Sequence, residues 1–133
     1  EKIKTIGDAY MVVGGVPNAR EDHAQAVASM ALEMQVVLKE VAQKNQKELK
    51  MRIGINSGPV IAGVIGSSKF SYDLWGDTVN VASRMEHYAM ADTIQVTEAT
   101  YQLLKDDFVF KPLGPVAIKG RGEVVAYVLL SKL

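Results

Sequence analysis

Tyr72-Asp73-Leu74-Trp75-Gly76-Asp77-Thr78-Val79-Asn80-Val81-Ala82-Ser83-Arg84-Met85 sets polar side chains at fixed offsets within otherwise apolar sequence. Gly76-Asp77-Thr78 has the composition of a turn and helix start, after which Val79, Ala82 and Met85 recur at the spacing of a buried helical stripe. Asn80 and Arg84 stand four residues apart and therefore share one face of that helix. An amide and a guanidinium aimed together at one spot suit charge that develops on a phosphate oxygen during group transfer. Either residue alone reads as an ordinary surface residue, whereas the run as a whole points to a polar ligand.

Upstream of this run, Ile3 to Ile6 and Ala9 to Val13 read as two strands joined at Gly7-Asp8, a pair suited to a hairpin turn with Asp8 at its tip. Gly14-Gly15-Val16-Pro17-Asn18 breaks the pattern. Ala24, Val27, Ala28, Ala31, Met34, Leu38 and Val41 then recur at helical spacing, which predicts one long amphipathic helix. Its polar tail, Gln43 to Lys50, reads as a solvated helix end and loop. Met51 to Ile55 and Val60 to Ile65 are short apolar runs around Asn56-Ser57-Gly58-Pro59, which predicts a second hairpin. Downstream, the pattern gives a strand over Thr93 to Thr97, a short helix over Glu98 to Leu104 and a strand over Phe108 to Lys111. Val116 to Leu130 follows as a hairpin around Gly120-Arg121-Gly122. No repeat, low-complexity tract or linker interrupts the chain, so residues 1–133 read as one α+β domain.

Composition narrows the function classes. The 133 residues suit a single core, and 15 basic residues balance 15 acidic ones. A balanced chain has no long-range field of the kind that draws nucleic acid or an anionic membrane, so any phosphate site must be local. With no cysteine, disulfides and thiolate metal sites are excluded. No apolar run approaches membrane-spanning length, and Glu1-Lys2-Ile3-Lys4 leads into strand sequence rather than a signal-like apolar segment.

Four blocks occur in order: Glu1-Lys2-Ile3-Lys4-Thr5-Ile6-Gly7-Asp8-Ala9-Tyr10-Met11, then Met51-Arg52-Ile53-Gly54-Ile55-Asn56-Ser57-Gly58-Pro59-Val60, then Tyr72 to Met85, then Ile118-Lys119-Gly120-Arg121-Gly122-Glu123. Together they resemble the class III nucleotidyl cyclases, the adenylate and guanylate cyclase catalytic domains, along nearly the whole chain. The resemblance implies a ferredoxin-like βαββαβ core with additions, with this chain opening at the second strand and lacking the first strand and first helices. In the family that first strand is central to the sheet and carries the first of two metal-binding aspartates. Without it, the 133 residues expressed alone are expected to be unstable or heavily oligomeric.

The resemblance also implies roles. Asp8 matches a ligand of the two magnesium or manganese ions that assist attack of the ribose 3′-hydroxyl on the α-phosphate; alone it is an ordinary turn aspartate. Lys4 and Asp73 match the purine readers of adenylate cyclases, the lysine donating to a ring nitrogen and the aspartate accepting from the 6-amino group. Guanylate cyclases commonly place glutamate and cysteine there. Arg52 matches an arginine near the leaving pyrophosphate, and Lys119 a lysine on the terminal phosphates. Asn80 and Arg84 match the pair that orients the ribose and stabilises the pentavalent transition state. His23 and His87 receive no role. The function implied is conversion of ATP to 3′,5′-cyclic AMP and pyrophosphate, in a cytoplasmic catalytic domain. The site would be shared across a homodimer, because one sequence carries residues of both halves. The alternatives are a silent nucleotide-binding or dimerisation module and a guanylate cyclase.

Overall fold

A computed structural model describes residues 2–6, 9–16, 18–65, 71–118, 120 and 122–133. Strand β1 (Lys2–Ile6) pairs antiparallel with β2 (Ala9–Val12), as the hairpin pattern predicts; the Gly7-Asp8 turn lies outside the described residues. Helix α1 (His23–Lys44) follows, then the short strand β3 (Ile53–Ile55), a two-stranded ribbon of β4 (Ile61–Ile65) and β5 (Ser71–Trp75), and helix α2 (Asp77–Tyr88). The chain continues through β6 (Ile94–Thr97), α3 (Glu98–Leu104), β7 (Phe108–Ile118) and β8 (Gly122–Lys132).

Strand β6 organises the layers. It pairs in parallel with β3 and antiparallel with β8, which pairs with β7, giving a sheet of order β3-β6-β8-β7. All of β6 is buried, and its side chains alternate between the two faces of the sheet. Ile94 and Val96 pack with Ala24, Ala28 and Ala31 of α1, Leu104 of α3, Phe108 and Leu129. Full burial of an aliphatic side chain of this size contributes about 1.5–3 kcal/mol. Gln95 faces the other way, where its Nε2 lies 3.0 Å from Met85 Sδ on α2, beside a smaller cluster of Met85, Ile118 and Ala126. Helices α1 and α3 therefore cover one face, and α2 the other.

The approach of α2 to the sheet is unusually close because β3 carries a glycine beneath it. A Cβ at Gly54 would collide with the Glu86 backbone and stand 2.6 Å from the Ala82 carbonyl oxygen.

Four expectations change. The second hairpin does not form: β3 pairs with β6, not with β4, and β4 takes β5 as its partner. The segment after β3 is drawn across to α2 instead of turning back, with Asn56 Nδ2 donating to Thr78 O at 3.1 Å and Thr78 Oγ1 to Pro59 O at 2.6 Å. Ser71 to Trp75 forms an unanticipated strand, which places Asp73 in β5. The buried stripe of α2 is Val81 and Met85, continued by Ala89, while Val79 and Ala82 are half-buried, because contact with β3 and β8 rotates the helix away from the assumed stripe. Finally, Phe108 to Ile118 is one strand; β7 is an edge, where Pro112 and Pro115 break no ladder, and its register shifts between Pro112 and Gly114.

At the start of α3, Tyr127 stacks on Tyr101 with ring centroids 3.8 Å apart, and Gln102 Nε2 donates to Glu98 Oε1 at 2.7 Å. The Tyr127 hydroxyl, then Gln102, hold the Glu98 carboxyl below its usual range, and the carboxylate pushes Tyr127 up to about 12. The phenol contact is loose, since Glu98 Oε2 is buried without a hydrogen bond of good geometry.

Gly54→Ala is expected to destabilise by about 3 kcal/mol or more, at or above the usual range for overpacking, because helix backbone cannot step aside; the urea midpoint measures it. A folded-state pKa raised above the unfolded one contributes stability that is complete below pH ~10 and fades as pH rises to about 12. Tyr127→Phe should remove that alkaline decline in a melting-temperature series.

Candidate functional site

Helix α2 begins at Gly76, whose φ of +119° favours glycine, and Asp77 lies in its first turn, where a carboxylate suits the helix dipole. With Val81 and Met85 turned inward, the opposite face carries Asn80 and Arg84, as their spacing predicts. Together with Ser83, Glu86 and His87 they line an open depression of about 300 Å³. Asn80 is exposed and Arg84 half-buried, and among the described residues neither side chain has a hydrogen-bond or ion-pair partner. The Asn80 amide and the five donors of the Arg84 guanidinium are thus available to one ligand.

Arg52 reaches the C-terminal end of the same helix. Its Nη1 donates to the His87 carbonyl oxygen at 3.3 Å and its Nη2 lies 3.4 Å from Glu86 Oε1. In this arrangement it caps the last turn of α2, a favourable place for a cation. Lys4 and Asp73 lie on β1 and β5, two strands that pass close to each other, and a register shift falls between Lys2 and Lys4. Asp8 and Lys119 lie outside the described residues. No group of three or more His, Cys, Asp or Glu residues suited to a metal ion occurs among the described residues.

Ser83, Glu86 and His87 were not singled out by sequence reasoning. A signal existed for two of them, since 80, 83, 84 and 87 follow the i, i+3, i+4, i+7 rule of a shared helix face. A larger groove of about 440 Å³ runs along α1 between Met30, Met34, Val37, Leu38, Val41 and Met51, but Glu33 is its only charged residue, so it offers no cation to a phosphate. No helix among the described residues is long and apolar enough to cross a membrane.

Because the Arg52–Glu86 pair is substantially exposed, its two side chains being 45% and 34% accessible, Arg52→Ala should cost only about 0.5–1 kcal/mol. Chemical denaturation checks this, and a loss above ~2 kcal/mol would show that the arginine is a structural pillar of α2.

The family model described as adenylate and guanylate cyclase catalytic domain matches residues 1–131. An adenylate cyclase of Mycobacterium tuberculosis is 47% identical over 132 residues, covering 99% of this chain and 30% of that protein. Guanylate cyclase soluble subunit beta-2 of Rattus norvegicus is 44% identical over 99% of this chain and 20% of its own length. The chain thus spans under a third of the curated relatives it matches. The crystal structure of the guanylate cyclase domain of RhGC from Catenaria anguillulae in complex with GTP superposes with a TM-score of 0.93 at 40% identity, covering 99% of this chain and 72% of that one. The α+β arrangement described above is thus that of the nucleotide cyclase fold.

Proposed function

Because this chain belongs to the adenylate and guanylate cyclase catalytic domain family, we propose that it cyclises a nucleoside triphosphate, and that the substrate is ATP. The observation that carries the reading is the pairing of Asn80 and Arg84, both without a side-chain partner among the described residues, at one depression on α2. In the reaction the ribose 3′-hydroxyl loses its proton to solvent, its oxygen bonds to the α-phosphorus, the bond from that phosphorus to the α,β-bridging oxygen breaks, and pyrophosphate leaves. Asn80 holds the ribose so that the 3′-oxygen is in line, and Arg84 neutralises charge that grows on the equatorial oxygens of the pentavalent phosphorus. Arg52 and Lys119 take the leaving pyrophosphate. Among the described residues Arg52 is held by one exposed carboxylate and one carbonyl, a hold that a triphosphate with several charges can displace.

Lys4 and Asp73 select the base. Their placement on neighbouring strands supports a shared purine pocket, in which a donor at Lys4 and an acceptor at Asp73 match adenine. Guanine presents the opposite pattern, and a buried polar mismatch is rejected strongly. Guanylate cyclisation is the second reading, supported by the rat relative and by the GTP in the Catenaria structure. Family membership brings divalent metal ions, and magnesium or manganese, two per site, would supply Lewis acidity to the phosphate oxygens when bound. Asp8 is the proposed ligand on this chain.

Asp8 and Arg52 on one subunit would face Lys4, Asp73, Asn80, Arg84 and Lys119 on the other, so a symmetric homodimer has two equivalent sites. In the full-length chain, ATP turnover should exceed GTP turnover; equal or better use of GTP moves the assignment to the second reading. Arg84→Ala should lower kcat by about 10²–10³-fold. Mixing Asp8→Ala and Arg84→Ala chains should restore activity at one site per dimer, and no recovery in a mixed dimer would refute shared sites.

A further inference from the structure

The chemistry above does not use Asn56, yet this residue ties the site-bearing helix to the core. Its Nδ2 donates to the Thr78 carbonyl oxygen at 3.1 Å, and its Oδ1 accepts from Thr97 Oγ1 at 2.6 Å. Thr78 belongs to the first turn of α2, two residues before Asn80 and six before Arg84. Thr97 is 3% exposed and caps α3, accepting from the Thr100 amide at 3.4 Å. Thr100 is fully buried, and its Oγ1 lies 2.9 Å from Ser57 Oγ. Thr78 closes the arrangement from its own side by donating to the Pro59 carbonyl.

The chemistry of each end decides which residue fits. A backbone carbonyl can only accept, so the nitrogen of the Asn56 amide must face Thr78, and the oxygen is then left to accept from the Thr97 hydroxyl. Aspartate would set an acceptor against the Thr78 carbonyl, and leucine would offer neither bond. Further along the helix α2 is seated at Ala82 and Glu86 over Gly54 and at Glu86 and His87 over Arg52, while the Thr78–Pro59 bond also holds its first turn. Loss of Asn56 therefore leaves α2 docked but lets the stiff helix tilt and roll about its seat on Gly54, which moves Asn80 and Arg84 together.

We propose that Asn56 is a positioning residue: its amide sets the depth and roll of the first turn of α2, and thereby the aim of Asn80 and Arg84, neither of which it touches. The kinetic consequence rests on the cyclase reading. If Asn80 and Arg84 act mainly on the transition state, misaiming them lowers kcat and leaves KM nearly alone.

The test uses the full-length chain with Asn56→Asp, Asn56→Leu, Thr97→Val and Thr97→Ser. The Asn56 variants and Thr97→Val should lose about 10- to 100-fold in kcat, with KM changed less than about threefold, the scale on which remote misplacement acts. Thr97→Ser keeps the hydroxyl and should stay within about twofold of the wild type in kcat. A lowered melting temperature with kcat unchanged in the Asn56 variants would overturn the proposal and leave a merely structural amide. A second readout needs no turnover: in ¹⁵N-arginine-labelled protein, the Arg84 Nε–H resonance, assigned with Arg84→Lys, should move in Asn56→Asp and not in Thr97→Ser. Should the wild type cyclise neither ATP nor GTP, the cyclase reading falls, and this resonance alone decides the positioning role, an unmoved signal refuting it. If Asn56→Leu fails to fold, Asn56→Asp and Thr97→Val carry the same comparison.

Discussion

The contact of α2 with the backbone of β3 at Gly54 is the constraint on which the rest depends. With no side chain between them, the helix lies deep enough for Met85 to reach Gln95, Ile118 and Ala126. Any Cβ at that point would lift the helix, and Met85, which is fully buried, would lose its surroundings first. The outward face of α2 would move with it, because a helix is stiff over a dozen residues and cannot bury one face independently of the other. The geometry of the depression is thus fixed by a glycine on the far side of the helix.

Along α2 the inward and outward faces divide the work. Val81, Met85 and Ala89 secure the helix, while Asn80, Ser83, Arg84 and His87 face outward. Asn56 and Thr78 hold its start and Arg52 its end, so the helix is fixed at both termini as well as along its seam. A half-buried guanidinium such as that of Arg84, without a partner among the described residues, is a local cost to stability. Proteins tolerate such departures from full polar satisfaction where the group serves a ligand, and donors already engaged inside the fold could not do so.

Local patterns carried the β1–β2 hairpin, α1 and α3, whose periodicity and turn residues lie within a few positions of each other. Long-range pairing was not legible. Nothing in Ile53-Gly54-Ile55 distinguishes a strand that turns back on its neighbour from one that waits for Ile94-Gln95-Val96, about forty residues on. β5 was hidden because Tyr72 to Trp75 read as the approach to a helix, and the inward stripe of α2 was misplaced because tertiary contact, not periodicity, selects among Val79, Val81 and Ala82. At the site, Asn80 and Arg84 were visible through their four-residue spacing. Asn56 was not, since its partners Thr78 and Thr97 stand 22 and 41 residues away.

The candidate base readers and the candidate transition-state groups stand on different supports. Lys4 and Asp73 ride on two-stranded ribbons that are separate from the four-stranded sheet, whereas Asn80 and Arg84 ride on a helix locked to that sheet. A substitution on β1 or β5 can exchange donor for acceptor without touching the seat of α2 on Gly54. Relatives named for adenylate and for guanylate chemistry match this chain at nearly the same identity, so overall similarity cannot separate the substrates. One unpaired buried polar group costs about 1–3 kcal/mol, enough to discriminate roughly tenfold or more. If Lys4 and Asp73 are the base readers proposed above, the choice of purine rests on side chains of β1 and β5, on different elements from the helix that carries Asn80 and Arg84.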